Sequence, residues 1–326
     1  MADTRKYAAS TPTGGDGHLD APLTQMAVKA FTGGADTFVA PRLLPFVTVD
    51  KQSNKYYIID PDSWLLIPNT RRSPKVAPRR IEWKVSSDSY FANNYALAGE
   101  NALEDLANAD AALALRENTT QVVVEALLRD LEVRVANLVS SVSNVGSGVV
   151  LSGTNKWSDY TGSDPISDVT TGHAFIRQTT GLLANTLVMD RDTYETVRRH
   201  PLILDMFKYT RGGLLSDEEL RGVFKVDNLW VPQGIKNNAL EAATSSITNI
   251  WGNTALLARV QPGLSMQTAT FGLSFIWEPD GVPGTMQVLR YNDPDPGKKV
   301  EVIEAGYYAD NKVIAKNLAY AITTTL

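Results

Sequence analysis

The longest helical pattern of hydrophobic residues lies between residues 100 and 143. Its apolar side chains recur at steps of three, four, seven and eleven, which is the spacing of one helix face. They are Leu103, Leu106, Leu113, Val124, Leu127, Leu131, Val135 and Leu138. No proline interrupts this stretch. The pattern predicts either one helix about 60 Å long, at 1.5 Å per residue, or two helices that break near Glu117 to Thr120.

Two strands are predicted before this helix, over residues 46–60 and 81–92. Ile81, Trp83 and Val85 alternate with polar residues, which is the period of a half-buried strand. The connection of about 20 residues contains four prolines, and it is far longer than the usual hairpin loop of ~2–5 residues. Loops of that length are usually functional or disordered. The sequence therefore predicts an extended β-hairpin loop.

The second half of the chain predicts an α/β region followed by strands. Asp164–Pro165 supplies an N-cap and a first helical residue, and residues 185–190, "NTLVMD", predict a short buried strand. Ser216 and Glu219 form a capping-box pattern for another helix. From residue 271 onwards, apolar and polar positions alternate between Pro- and Gly-rich turns. The predicted fold class is therefore α+β.

The N-terminal 35 residues are rich in Gly, Thr, Ala and Asp, and their periodicity is weak. They predict either an extended arm that is ordered by contacts with something else or a disordered tail. They lack the apolar segment of a signal peptide, and no stretch of 18 apolar residues predicts a membrane span. We therefore expect no membrane partner and synthesis in a cytoplasm.

Composition excludes several classes of protein. The chain has 326 residues, a net charge of −5 and a pI of about 5.3, which argues against a general nucleic-acid binder. It has no cysteine, so disulfides, thiolate metal sites and cysteine nucleophiles are excluded. The three histidines, His18, His173 and His200, have no metal-binding spacing.

Candidate chemistry is sparse. Nucleophile-elbow, phosphate-loop and dinucleotide-binding motifs are absent from the sequence. A cluster of Asn292, Asp293 and Asp295 fits a tight turn better than a calcium site, because the EF-hand pattern is missing. We therefore predict no catalytic, cofactor-binding or metal-binding residues, no cofactor, and no enzyme activity.

The charge pattern gives the candidate site. The loop is basic, with no acid from residue 63 to 81, and its cations are Arg71, Arg72, Lys75, Arg79 and Arg80. The predicted helix is acidic, and its candidate contact residues are Glu104, Asp105, Asp110 and Glu117, with further acids at Glu100, Glu125, Asp130 and Glu132. These two charged surfaces can pair head to tail between copies of the chain. The alternatives are two independent solvated faces and nucleic-acid binding by the loop.

The order of these parts resembles the major capsid protein of tailed bacteriophages, with the Hong Kong 97-like shell fold. Residues 35–60 resemble the entry into the extended loop of that family, and residues 95–110, "YALAGENALEDLANAD", resemble the entry into its spine helix. Residues 153–172 resemble its Trp followed by an Asp-Pro helix start. Residues 185–209 resemble its strand, helix, His-Pro and second helix, and residues 249–261 resemble a strand of its axial domain.

The resemblance implies a division of the chain into named parts. A peripheral domain would hold the long spine helix and a β-sheet, and the axial domain would be α/β. The implied parts are an N-terminal arm (1–45), an extended β-hairpin loop (46–98), the spine helix of the peripheral domain (99–155), the axial domain (156–268), the peripheral-domain sheet (269–305) and a return to the axial domain (306–326).

The resemblance also implies a function. The chain would assemble with itself into hexamers and pentamers of an icosahedral phage head around double-stranded DNA, which it would contact without sequence specificity. It would act in the virion after assembly in the host bacterial cytoplasm. A separate scaffolding protein and a portal are expected partners, and the pattern leaves room for a decoration protein. The alternatives are an encapsulin-like compartment shell and an α/β enzyme with an unrecognised site. The encapsulin-like shell would share the fold, and the two differ in cargo.

Overall fold

A computed structural model describes residues 18–33, 37–59, 67, 69–72, 75, 77–78, 80, 85–108, 112–207, 215–239, 244–261, 269–279, 285–295 and 297–326. The chain divides into two compact units. The first unit comprises Met1–Gly33, Asn94–Leu128 and Glu278–Tyr308. The second unit comprises Gly34–Asn93, Arg129–Trp277 and Ala309–Leu326.

The described elements follow one another as a mixture of helices and strands. The helices are α1 (Ala21–Gly33), α2 (Ala40–Leu43), α3 (Leu103–Asn108), α4 (Ala112–Ser140), α5 (Pro165–Thr180), α6 (Arg191–Arg198), α7 (Pro201–Phe207) and α8 (Asp217–Phe224). The strands are β1 (His18–Leu19), β2 (Phe46–Val49), β3 (Ser53–Ile59), β4 (Val85–Phe91), β5 (Asn93–Ala102), β6 (Ser147–Val150), β7 (Thr186–Met189), β8 (Asn228–Trp230), β9 (Ile235–Asn237), β10 (Ile247–Asn249), β11 (Thr254–Ala258), β12 (Gly272–Trp277), β13 (Gln287–Asn292), β14 (Val300–Val313) and β15 (Ala319–Thr323).

The first unit is built on strand β13, which pairs antiparallel with β1 on one side and with β14 on the other. Strand β5 also pairs with β14. Helix α1 buries Leu23, Ala27 and Phe31, and the Phe31 ring lies 4.6 Å from that of Tyr307. The prediction of an extended arm is therefore wrong for residues 21–33. Their apolar side chains recur every four residues and form the buried face of a helix.

The five-stranded sheet of the second unit has the order β6-β15-β11-β7-β8. Strand β11 is antiparallel to both of its neighbours, β15 and β7. The edge strands β6 and β8 pair parallel with β15 and β7, respectively. Helix α5 packs against this sheet at Gly172, where a Cβ atom would lie 2.9 Å from the Tyr320 ring and 3.0 Å from Leu257. Only glycine therefore permits this close approach of helix to sheet.

The predicted β-hairpin is confirmed for Ser53–Ile59 and Val85–Phe91. The prediction of a single strand over 46–60 is wrong, because Phe46–Val49 form the separate strand β2, which pairs parallel with β12. Strands β3 and β4 pair antiparallel from Ser53↔Phe91 to Ile59↔Val85. Tyr56 and Tyr90 lie on one face of this hairpin and pack against Phe275, with ring centroids 5.2 Å and 4.6 Å away. The base of the hairpin is thus fixed in the core of the second unit, while residues 81–84 of the predicted strand lie outside the described residues.

The long helix differs from its prediction at the N-terminal end. Helix α4 is continuous through Glu117 and Thr120, so the alternative of a break at these residues is wrong. Helix α3 ends at Asn108 and α4 begins at Ala112. Residues 100–102, which the pattern placed in a helix, belong to strand β5. The apolar spacing predicted helix from residue 100 onwards, but strand β5 continues to Ala102. Leu103 and Leu106, which fit the same spacing, belong to the short helix α3.

The capping predictions are confirmed. The Asp164 side chain accepts hydrogen bonds from the backbone N–H groups of Ile166 and Ser167 at the start of α5, and Ser216 and Glu219 form the capping box of α8.

The named domain boundaries stay a prediction. In the described part of the chain, no helix combines the length and the apolar character that crossing a bilayer requires.

We predict that residues 21–33 are part of the folded subunit. Phe31→Ala should lower the free energy of unfolding by ~3–5 kcal/mol, because it removes a fully buried ring. Lys29→Ala changes an exposed side chain of the same helix and should stay within about 0.5 kcal/mol of the parent. Urea unfolding of unassembled subunits measures both. Equal stability of the two variants would mean that α1 contributes nothing to the fold.

Candidate assembly surfaces

The described cations of the loop are all exposed. Arg71, Arg72, Lys75 and Arg80 face solvent, and Arg79 lies outside the described residues. Ile67, in the same loop, is 93% exposed, and Lys75 has a left-handed backbone with φ of 68°. At these described positions the loop presents both charge and apolar surface to solvent.

The candidate acids are exposed where the structure describes them. Glu104 and Asp105 lie in the first turn of α3, and Glu117 lies on the exposed side of α4. Asp110 lies outside the described residues. The loop cations belong to the second unit and these acids to the first. Their pairing between copies therefore stays a prediction.

Two other acids of α4 have partners within their own chain. Asp130 forms an ion pair with Arg134, whose Nε atom lies 2.9 Å from its Oδ2 atom. Glu132 is completely buried. The sequence interpretation that counted Glu132 among the charges of this face is wrong, because its carboxylate points into the core of the second unit.

Glu132 joins three parts of the second unit. Its carboxylate accepts hydrogen bonds from the backbone N–H of Val39 at 3.0 Å and of Ala40 at 2.7 Å. It also accepts one from the indole N–H of Trp251. We call this arrangement the Glu132 clamp. It connects helix α4 to the start of α2 and to the segment between β10 and β11.

The clamp replaces a missing helix cap. Val39 occupies the N-cap position of α2 and has no side-chain oxygen that could accept from the first backbone N–H groups. Glu132 supplies that oxygen from a distant part of the chain, and its charge is favourable at a helix N-terminus. Burial raises the pKa of Glu132, and the hydrogen bonds from Trp251, Ala40 and Val39 oppose that rise.

Sequence reasoning missed the clamp, although the sequence contains its signal. Glu132 lies four residues after Leu128 and three before Val135, and both are buried. An acid within the apolar stripe of a helix must find internal donors. The donors themselves could not be deduced, because they lie 93 and 119 residues away along the chain.

His200 is a second buried polar residue that the sequence did not reveal. Its side chain is fully buried. Its Nε2 atom lies 3.0 Å from the Ser163 hydroxyl, and Tyr160 packs edge-on against it. Its Nδ1 atom has no hydrogen-bond partner among the described residues. Burial lowers the pKa of His200, and the nearby Asp164 charge partly opposes this.

The remaining candidate chemistry has structural explanations. His173 is hydrogen-bonded through Nε2 to the Phe224 carbonyl at 2.9 Å, as expected for a packed histidine. Asp293 and Asp295 accept backbone N–H bonds within their own turn. Among the residues that the structure describes, no group of three or more histidines and acids is arranged for a metal ion.

We predict that the Glu132 clamp stabilises the second unit. Glu132→Gln keeps the shape but turns an amide N–H₂ towards buried donors, and it should cost ~1–3 kcal/mol of unfolding free energy. Asp130→Asn on the same helix breaks only an exposed pair and should cost ~0–1 kcal/mol. Urea unfolding followed by tryptophan fluorescence gives both values. A Gln variant as stable as the Asn variant would contradict the clamp.

We predict a pH dependence from His200. Its lowered pKa favours the neutral ring in the fold, so its contribution is complete above the ordinary pKa of about 6.5 and is lost as pH falls through the lowered value. His200→Gln should reduce the loss of stability of unassembled subunits on acidification. Part of the loss should remain, because burial also lowers the pKa of His173. An unchanged pH profile in the variant would contradict this role.

Two curated relatives align with most of the chain. The major capsid protein of Pseudomonas phage JBD67 is 26% identical over 316 residues, which are 91% of this chain and 98% of the relative. The major capsid protein of Burkholderia phage BcepMu is 26% identical over 244 residues, which are 74% of this chain and 76% of the relative. No profile of a known protein family matches the chain.

Solved structures share the fold. A phage-related protein from Bordetella bronchiseptica matches with a TM-score of 0.75 at 22% identity, over 94% of this chain and 97% of that one. A Microbacterium phage Oxtober96 structure matches with a TM-score of 0.56 at 11% identity, over 99% and 96%. The SrpI encapsulin of Synechococcus elongatus matches with a TM-score of 0.51 at 13% identity, over 86% and 85%. The chain is a homologue of phage major capsid proteins and has the Hong Kong 97-like fold of phage shells.

Proposed function

We propose that this chain is the subunit that assembles with itself into the hexamers and pentamers of an icosahedral phage head around double-stranded DNA. The observation that carries the proposal is the alignment with a phage major capsid protein over 98% of that relative. The described loop cations support it, because a single chain leaves Arg71, Arg72, Lys75 and Arg80 exposed. In this role the chain is a structural protein of the virion and not an enzyme.

The loop and the acidic helix supply a contact between copies. Arg71, Arg72 and Arg80 are exposed in the second unit, and Glu104, Asp105 and Glu117 are exposed in the first. A contact between two different surfaces is head to tail, so its repetition produces rings or open arrays. Each exposed ion pair contributes only ~0–1 kcal/mol. Every subunit of a shell would repeat several such ion pairs, so their small free energies would add up over the whole shell.

Several partners follow from this role. A separate scaffolding protein and a portal are proposed as partners because the resemblance to tailed-phage capsid proteins implies them. A decoration protein on the outer surface is compatible with it. Contact with packaged DNA would be non-specific, which agrees with a net charge of −5. Assembly would take place in the host bacterial cytoplasm.

An encapsulin-like compartment is the second candidate, and the fold likeness to the SrpI encapsulin favours it. The two functions differ in cargo, since a phage head encloses nucleic acid and a compartment encloses protein. Electron microscopy of the untagged protein, with light scattering for mass, tests both. Closed shells hundreds of ångströms across support assembly, and their content separates the two. A uniform monomer or dimer, unchanged by concentration or scaffold, would reopen the third candidate, an α/β enzyme.

We predict that charge reversal in the loop impairs assembly but not folding. Replacing Arg71, Arg72, Arg79 and Arg80 with Glu should keep the thermal midpoint of the subunit and lower the yield of shells in electron micrographs. The reason is repulsion between the reversed loop and the acids of a neighbouring copy.

The matched control reverses both surfaces in one chain. Adding Glu104→Lys, Asp105→Lys and Glu117→Lys to the reversed loop should restore opposite charges across the contact and recover shells. Normal shells from the loop variant alone would contradict the pairing. Failure of the combined variant, with a folded subunit, would show that these acids are not the partner of the loop.

A further inference from the structure

A groove in the second unit lies between helices α5 and α8 and has a volume of about 310 Å³. Val169 and Phe224 form part of its buried apolar lining, and Leu183 lies at its edge with 58% of its surface exposed. Such a volume is at the lower end for a ligand site. It suits a few aliphatic side chains better than a large molecule.

The groove has a fixed shape and a cationic rim. The hydrogen bond from His173 to the Phe224 carbonyl ties α5 to the last turn of α8. Lys225 follows in a left-handed conformation with φ of 54°, and it lines the groove together with Arg177. Both cations are exposed. The groove therefore offers an apolar lining beside positive charge, which fits an apolar segment that carries an acid.

Helix α7 presents such a segment. Leu202 and Met206 are 46% and 59% exposed, and Asp205 is exposed beside them. These residues lie at positions i, i+3 and i+4, so they share one helix face. Ile203 is buried, so an adjacent face of α7 packs within its own subunit. Asp205 also interacts within its own chain. The fit between α7 and the groove therefore rests on the exposed apolar side chains of Leu202 and Met206 and on the negative charge of Asp205 opposite a cationic rim.

We propose that helix α7 of one copy seats Leu202 and Met206 in the α5–α8 groove of a second copy, with Asp205 towards Arg177 and Lys225. The inference rests on the proposed self-assembly and deepens it by naming the contact surfaces. The two surfaces share no residue, so the contact is head to tail. Each copy then gives one helix and receives one, which allows a closed ring. A helix whose apolar face enters a groove is a common recognition mode between proteins.

Disulfide trapping tests the contact, because the chain has no cysteine of its own. Leu183→Cys with Met206→Cys places one thiol at the rim of the groove and one on α7. Oxidation of assembled particles should produce a covalent ladder that continues beyond dimers to the number of subunits in a ring. The matched control is Val150→Cys with Met206→Cys, since Val150 is equally exposed, at 62%, on edge strand β6. It should stop at dimers.

The outcomes separate this inference from the proposed function. Particles whose Leu183–Met206 double variant shows no ladder beyond that of the control would overturn the α7–groove contact while leaving self-assembly intact. Absence of particles from the parent protein under all conditions would overturn the proposed function instead. A ladder that appears only in the Leu183–Met206 variant supports both.

A charge exchange provides a second test that does not depend on cysteine geometry. Arg177→Glu or Asp205→Arg alone should lower particle yield by roughly fivefold, the effect of about one charge pair. The two together should recover most of the yield. Equal yields from all three variants and the parent would also overturn the contact.

Discussion

The buried carboxylate of Glu132 is the constraint on which the core of the second unit depends. A charge inside a protein is tolerated only where donors surround it, and here two backbone N–H groups and the Trp251 indole do so. The carboxylate thereby fixes three segments that lie far apart in the sequence. One of them, the chain around Val39 and Ala40, directly precedes strand β2 and the hairpin of β3 and β4.

The position of the hairpin follows from this anchored segment and from aromatic packing. Tyr56 and Tyr90 pack on Phe275, and Tyr90 also donates a hydrogen bond to the Lys51 carbonyl. Tyr57 and Phe91 on the outer face are 65% and 53% exposed. A base with one packed face and one open aromatic face suits a projection that another copy covers. The base of the hairpin is therefore packed on one face, whereas the described loop residues are exposed.

Local chemistry explains which features could be predicted from the sequence. The caps at Asp164 and Ser216 depend on residues two or three positions apart, and the hairpin depends on period-two alternation within single strands. Helix α1 was missed because Gly, Thr and Ala dominate the N-terminal segment and mask the Leu23, Ala27 and Phe31 spacing. The end of α3 was missed because two helices in succession continue one apolar period.

Features that depend on distant partners could not be predicted. The Glu132 clamp and the Ser163–His200 pair join residues 93 and 37 positions apart, and the α5–α8 groove joins helices about 50 residues apart. A single sequence without related sequences carries no direct signal for such pairs. The charged surfaces could be predicted, because runs of like charge are visible in the sequence. The structure shows in addition that their described residues are exposed.

The absence of cysteine and the exposure of the candidate surfaces have a common physical consequence. In the proposed shell, contacts between copies cannot use disulfides, and each exposed ion pair is weak by itself. Weak contacts permit errors to dissociate before a shell closes, whereas the sum over many copies stabilises the closed form. The apolar groove and the basic loop would then have complementary roles. Burial at the groove gives strength that salt does not screen, and the loop charges give an orientation that depends on salt.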